Sequence, residues 1–133
     1  MKYANETKTI LVVDDDPEFR AQQRAQLEGE GYGVVEAEGR HDARELLRRR
    51  DFDMAVVDLM MEEADAGFTL AREIKQSRPE MPVIIITGVA REMGVEFDVS
   101  TEEERRWINA DALLAKPIRF EQLRREMKRL LHT

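Results

Sequence analysis

The sequence predicts an α/β domain, a doubly wound parallel five-stranded sheet with helices on both faces. Short apolar, β-branched runs recur along the chain at Ile10–Val13, Met54–Val57, Val83–Ile86 and, more briefly, Leu113–Ala115. Segments of helical pattern separate these runs, the alternation expected of βα units. Each run also ends on a residue able to do chemistry: Asp14-Asp15-Asp16, then Asp58, Thr87 and Lys116-Pro117. In open parallel sheets the carboxyl ends of the strands face the crevice where ligands bind.

Strand one is predicted over about Thr9–Val13. Helix one follows Pro17, a residue suited to the first helical position, and ends near Gly31. Its inward stripe holds Phe19 and Leu27, but Gln22, Gln23 and Gln26 stand where that stripe should be apolar. Two readings stay open: a thin contact in which alanines share the packing, or a polar face that docks a partner. Strand two is predicted at Gly33–Ala37, helix two at Arg40–Arg49 and strand three at Met54–Asp58. A loop, Leu59–Ala66, leads to helix three at about Phe68–Ser77, with Pro79 and Pro82 marking its exit. Strand four is Val83–Thr87. The next stretch is less regular. A helix is expected over Thr101–Ile108, with Thr101 and Glu104 forming a capping box and Asn109 closing it. Phe97, Trp107 and Ile108 are too apolar to leave in water, so this segment should fold back on the domain. Strand five is Ala112–Ala115. A fifth helix covers about Phe120–Leu131, with Phe120, Leu123, Met127, Leu130 and Leu131 on one face.

A chain of 133 residues supports one hydrophobic core and one domain. Its formal charge of −7 gives no offset to phosphate repulsion and argues against direct nucleic-acid binding. With no cysteine, disulfides and thiolate metal sites are excluded. His41 and His132 lie far apart and make a poor metal pair. No apolar stretch is long enough to span a membrane, and the N-terminus does not read as a signal peptide, so a cytoplasmic protein is expected. Arg48-Arg49-Arg50 reads as a solvated helix end that complements the dipole. Arg124, Arg125, Lys128 and Arg129 read as the outer face of the last helix.

If the runs are neighbouring parallel strands, three carboxylates, a hydroxyl and an ammonium meet in one crevice. Clustered carboxylates repel one another and call for a hard divalent cation, for which Mg²⁺ is the obvious candidate. The lysine and the hydroxyl suit an incoming phosphoryl group. Taken separately, each element has a plainer meaning: Asp16-Pro17 is a helix start, Thr87 a strand end and Lys116-Pro117 a turn.

Asp14-Asp15, Asp58, Thr87 and Lys116-Pro117, each at a strand end and in this order, resemble the receiver domains of two-component response regulators. The resemblance runs from Lys8 to Leu131. It implies a flavodoxin-like fold with strand order 2-1-3-4-5 and a single receiver domain over residues 8–131, without a separate output domain. It implies Asp58 as phosphoacceptor and Mg²⁺ held by Asp14, Asp15, Asp58 and the backbone carbonyl of Met60. Thr87 would bond the phosphoryl group and Lys116 would pair with it. A sensor histidine kinase or phosphotransfer protein would donate the phosphoryl group. A downstream protein partner would read the surface formed by the fourth helix, fifth strand and fifth helix, and a homodimer through that surface stays open. Such a domain is a phosphoacceptor signalling unit rather than an enzyme with its own substrate.

The chain also departs from that pattern. Glu62 stands where the family usually has proline, and Gly67 arrives one residue late, so the loop after Asp58 is longer and more acidic. The segment between Thr87 and Lys116 is extended around Met93–Asp98. Leu113 replaces the aromatic residue often found three positions before the lysine, so the usual rotamer switch is not available. Met60 and Val89 are apolar at positions that are polar in many fast-hydrolysing receivers. These departures keep alive a receiver-like scaffold that binds partners without phosphorylation. A haloacid-dehalogenase-type phosphatase with Asp14 as nucleophile is a further alternative, although its downstream acidic pair is missing. A flavodoxin-like FMN carrier lacks support, because no Ser/Thr/Gly-rich loop follows strand one.

Overall fold

The computed structural model describes residues 7–59, 66–87, 110–116 and 118–131. Its strands are β1 (Thr9–Val13), β2 (Gly33–Ala37), β3 (Met54–Asp58), β4 (Val83–Thr87) and β5 (Ala112–Ala115). Its helices are α1 (Pro17–Gly29), α2 (Arg40–Arg49), α3 (Ala66–Ser77) and α4 (Phe120–Leu131). Here α4 is the fifth helix expected from sequence. The helix expected over 101–108, the segment carrying Phe97 and Trp107, and Val89 lie outside the described residues.

All five strands are parallel, in the order β2-β1-β3-β4-β5. The β-branched runs form central strands because both of their faces are covered. Leu11, Val13, Ala55, Val57, Val83 and Ile85 face Ala43 of α2 and Leu70, Ala71 and Ile74 of α3. Their neighbours Ile10, Val12, Met54, Val56, Ile84 and Ile86 face Leu27 of α1 and Leu123 and Met127 of α4. The period-two alternation of the strands thus divides one chain between two apolar layers. The predicted face of the last helix is the one used: Leu123 and Met127 are buried, while Phe120, Leu130 and Leu131 pack at its margin.

Helix α1 departs from the first of the two sequence readings. Its inner stripe is Phe19, Gln23 and Leu27 at spacing i, i+4, i+8, and Gln23 is buried. Ala21 and Ala25 are exposed and do none of the packing expected of alanines. The helix starts where predicted, because Asp16 accepts hydrogen bonds from the Glu18 and Phe19 amides at 3.0 and 3.4 Å. It ends in a Schellman turn, with Tyr32 N donating to Leu27 O and Gly31 N to Glu28 O. Gly31 takes φ +95°, the left-handed region that glycine enters without cost. Helix α3 begins at Ala66, two residues before the predicted start at Phe68, because the approach of Gly67 to the end of β3 sets its first turn.

The carboxyl-end crevice of the sheet

Order reverses between β1 and β3, since β1 connects onward to β2 on one side while β3 lies on its other side. The crevice at such a switch point is where α/β sheets bind ligands. Asp14 follows β1, and its amide donates to Ala37 O at 3.1 Å. Asp58 ends β3, Thr87 ends β4 and Lys116 follows β5. Cross-strand bonds tie these ends together: Leu59 N donates to Ile86 O at 2.8 Å and Lys116 N to Thr87 O at 2.8 Å. A rigid sheet edge therefore fixes the four predicted positions relative to one another.

Asp14, Asp15 and Asp58 each present one carboxylate oxygen within 4.8 Å of the others. Asp14 and Asp58 are only 1 % and 6 % exposed, whereas Asp15 faces solvent. The Lys116 ammonium lies 3.2 Å from Asp58 Oδ1 and 4.0 Å from Asp14 Oδ2. It also sits 4.6 Å from the centre of the Phe19 ring, a cation–π contact that holds it over the crevice. Thr87 is buried at the next strand end.

Burial pushes the Asp58 carboxyl up from an ordinary 3.8 to about 6. The neighbouring Asp14 charge adds to the rise, and Lys116 opposes it. Asp14 is raised as well, chiefly by burial, against the pull of the Asp16 amide on its Oδ1 at 2.9 Å. Its Oδ2 has no hydrogen-bond partner among the described residues. Three converging carboxylates, one with an unused buried oxygen, form a hard oxygen donor set that fits Mg²⁺.

Of the residues predicted for the site, Asp14, Asp15, Asp58, Thr87 and Lys116 lie together at this edge of the sheet. Met60, whose carbonyl was expected as a ligand, lies outside the described residues. Asp16 turns away to cap α1, so the Asp14-x-Asp16 pair needed for a dehalogenase-type nucleophile does not converge. Sequence reading did not single out Arg20. Its Nη1 donates to Asp14 O at 2.6 Å, and its Nε to Glu36 Oε1 at 3.0 Å. No local pattern signals this contact, because it depends on the register that sets Glu36 beside Val12. Gly67 was noted only as the end of the loop. A Cβ there would lie 2.5 Å from Leu59 Cα and 2.6 Å from Asp58 O. The first turn of α3 therefore rests directly on the backbone that carries Asp58.

The class defined by this fold and site is matched by comparison with known proteins. The family model described as "Response regulator receiver domain" matches residues 10–128. The chain belongs to the response regulator receiver domain family, a signalling domain of two-component systems. Transcriptional regulatory protein ZraR of Salmonella typhimurium is 36 % identical over 125 residues, covering 93 % of this chain and 26 % of that protein. Response regulator GtcR of Aneurinibacillus migulanus is 35 % identical over 111 residues, covering 84 % of this chain and 42 % of the relative. The match thus spans less than half the length of these curated relatives. Among solved structures, response regulator TrrA of Thermotoga maritima, in complex with Mg(2+)-BeF, has TM-score 0.76 at 26 % identity. The match covers 93 % of this chain and 99 % of that one. A CheY-like receiver domain protein of Methanospirillum hungatei has TM-score 0.79 at 26 % identity, covering 96 % and 95 %. The scaffold and phosphatase alternatives are not favoured. Among the described residues, no helix is long and apolar enough to cross a membrane.

Proposed function

We propose that Asp58 accepts the phosphoryl group, in a receiver unit spanning residues 8–131. The observation that carries this is its setting: a buried strand-end carboxylate with an ammonium at 3.2 Å and two further carboxylates beside it. Asp14, Asp15 and Asp58, with the Met60 carbonyl, would hold Mg²⁺. Bound there, the ion would supply positive charge that shields Asp58 from an anionic donor and offsets charge on the transferring group. One Asp58 oxygen forms the new P–O bond as the bond from phosphorus to the leaving group breaks, and the electron pair departs with that group. Lys116, released from its pairing with Asp58, turns its ammonium to the phosphoryl oxygens, and the Thr87 hydroxyl donates to another. The sheet edge holds these groups in place before the donor arrives, so little reorganisation accompanies transfer.

On this reading the donor is a sensor histidine kinase or a phosphotransfer protein in the cytoplasm. The protein turns over no separate substrate; it catalyses only its own phosphorylation and dephosphorylation. Output passes by contact with a downstream protein partner. The test is incubation with Mg²⁺ and a small acyl-phosphate donor, followed by intact mass. One added phosphoryl group is expected, not formed when Mg²⁺ is chelated before the donor is added and absent in Asp58→Asn. Undiminished labelling of that variant, on another strand-end aspartate, would refute the assignment.

A further inference from the structure

We infer that Arg20 is a positioning residue for the metal site, acting through the peptide that joins Asp14 to Asp15. This inference rests on the proposed metal ligands. Asp15 is exposed, so the orientation of the preceding peptide must do much of the work of aiming its carboxylate. That peptide's carbonyl accepts from Arg20 Nη1 at 2.6 Å. The Arg20 side chain is only 12 % exposed, and its guanidinium is held by Glu36 at 3.0 Å. Glu36 in turn accepts from Arg24 Nη1 at 2.9 Å, and Arg24 Nε reaches Glu28 at 3.1 Å. A chain of charge-assisted bonds therefore runs from the outer surface of α1, across β2, to the back of the carboxylate cluster. The planar guanidinium suits this place, because it can serve a carbonyl and a carboxylate at once in fixed directions.

The other fixings of this turn lie on Asp14 and Asp16 themselves. Asp14 N is held by Ala37 O, and Asp14 Oδ1 by the Asp16 amide. Arg20 adds the contact on the carbonyl between the two proposed ligands. Without it the Asp14–Asp15 peptide can rotate, and Asp15 must be reordered each time the ion binds.

Charge and position predict opposite outcomes when Arg20 is replaced. As a bare cation near the site, Arg20 repels a divalent ion, so removing it should tighten binding. As a positioning group, it preorganises the ligands, so removing it should weaken binding. Arg20→Met keeps the aliphatic stem that packs on the surface and removes both hydrogen bonds. Arg20→Lys keeps the charge but cannot serve both partners with the same geometry.

The experiment titrates parent and variants with Mn²⁺, reading the free ion by EPR, with Mg²⁺ as competitor and urea melts to verify folding. Arg20→Met should bind either ion about tenfold more weakly, the low end of what loss of an outer hydrogen-bonding partner costs a metal site. Arg20→Lys should fall between, about threefold weaker than the parent. Parent-like or tighter binding by Arg20→Met overturns the inference. If that variant does not fold, parent-like binding by Arg20→Lys overturns it instead. A parent that binds no Mn²⁺ defeats the metal-site reading and this inference together. Binding by the parent that Asp58→Asn weakens and Arg20→Met does not would leave the site standing and remove only Arg20's role.

Discussion

Replacing Asp58 with asparagine should stabilise the metal-free protein. Burial and Asp14 lift the Asp58 carboxyl from 3.8 to about 6, so folding at neutral pH holds a charge that the unfolded chain carries more comfortably in water. At about 1.4 kcal/mol per pKa unit, the rise is worth at most about 3 kcal/mol, and relaxation around the half-exposed Lys116 brings the expected gain to about 1–2 kcal/mol. The sign follows from proton uptake. Between pH 3.8 and about 6 the native state binds more protons at Asp58 than the unfolded state. The carboxyl therefore costs nothing below the unfolded value, and its penalty grows as pH rises through the native value. Urea melts in EDTA, followed by far-UV circular dichroism, should show Asp58→Asn ahead of the parent at pH 8. The gap should be roughly halved at pH 5 and closed near pH 3.5. Mg²⁺ reverses the order of gain, since a ligand at one hundred times its Kd stabilises the parent by about 2.7 kcal/mol and a variant lacking one carboxylate by less. An asparagine variant less stable than the parent in EDTA at pH 8 would refute the electrostatic reasoning, whatever the phosphorylation assay shows.

Gly67→Ala should cost about 1–3 kcal/mol in urea melts, because its Cβ meets backbone at 2.5 Å rather than a side chain that could yield; metal affinity should fall with it, and a variant as stable as the parent would show that α3 can slide. Gln23→Leu should raise stability by about 1 kcal/mol, since the buried Gln23 Oε1 finds no hydrogen-bond partner among the described residues and the residue lines a small pocket with Phe19, Ile118, Phe120 and Leu123 as well as Gln22 and Gln26; a lower Tm would show that the amide is satisfied in solution. The apolar Met60 and Val89 predict slow loss of the phosphoryl group, because neither positions an attacking water; in Mg²⁺, at least one of Met60→Asn and Val89→Glu should speed decay, and equal or slower decay in both would rule these side chains out.

The strands were legible because a central parallel strand must be apolar on both faces, and runs such as Val83–Ile86 have few other uses. The strand-end residues were legible for the same reason, since each marks the point where such a run meets water. Gln23 defeated the helical pattern, because burial at that position follows from the contact between α1 and α4 and not from the residue's own chemistry. The start of α3 at Ala66 was placed two residues late, although Asp65, a residue type favoured at helix starts, precedes it; Gly67 reads as a break in the helical pattern, yet its close approach to Asp58 and Leu59 requires a residue without a side chain there. Arg20 and Glu36 meet only because strands β1 and β2 pair in one register, and nothing within either segment encodes that meeting.

The hydrogen bond from Gly67 N to Leu59 O, 2.8 Å long, has a consequence for how this protein can diversify. It clamps both ends of the acidic loop at the same point on the scaffold. Adding one residue to a loop whose ends are already pinned costs only about 0.1 kcal/mol of closure entropy. The length and charge of the segment beside Asp58 can therefore drift from one descendant to the next while the Asp58 carboxylate keeps its place. The clamp separates two rates of change, a slow one for the chemistry and a fast one for the rim that an approaching protein would meet first.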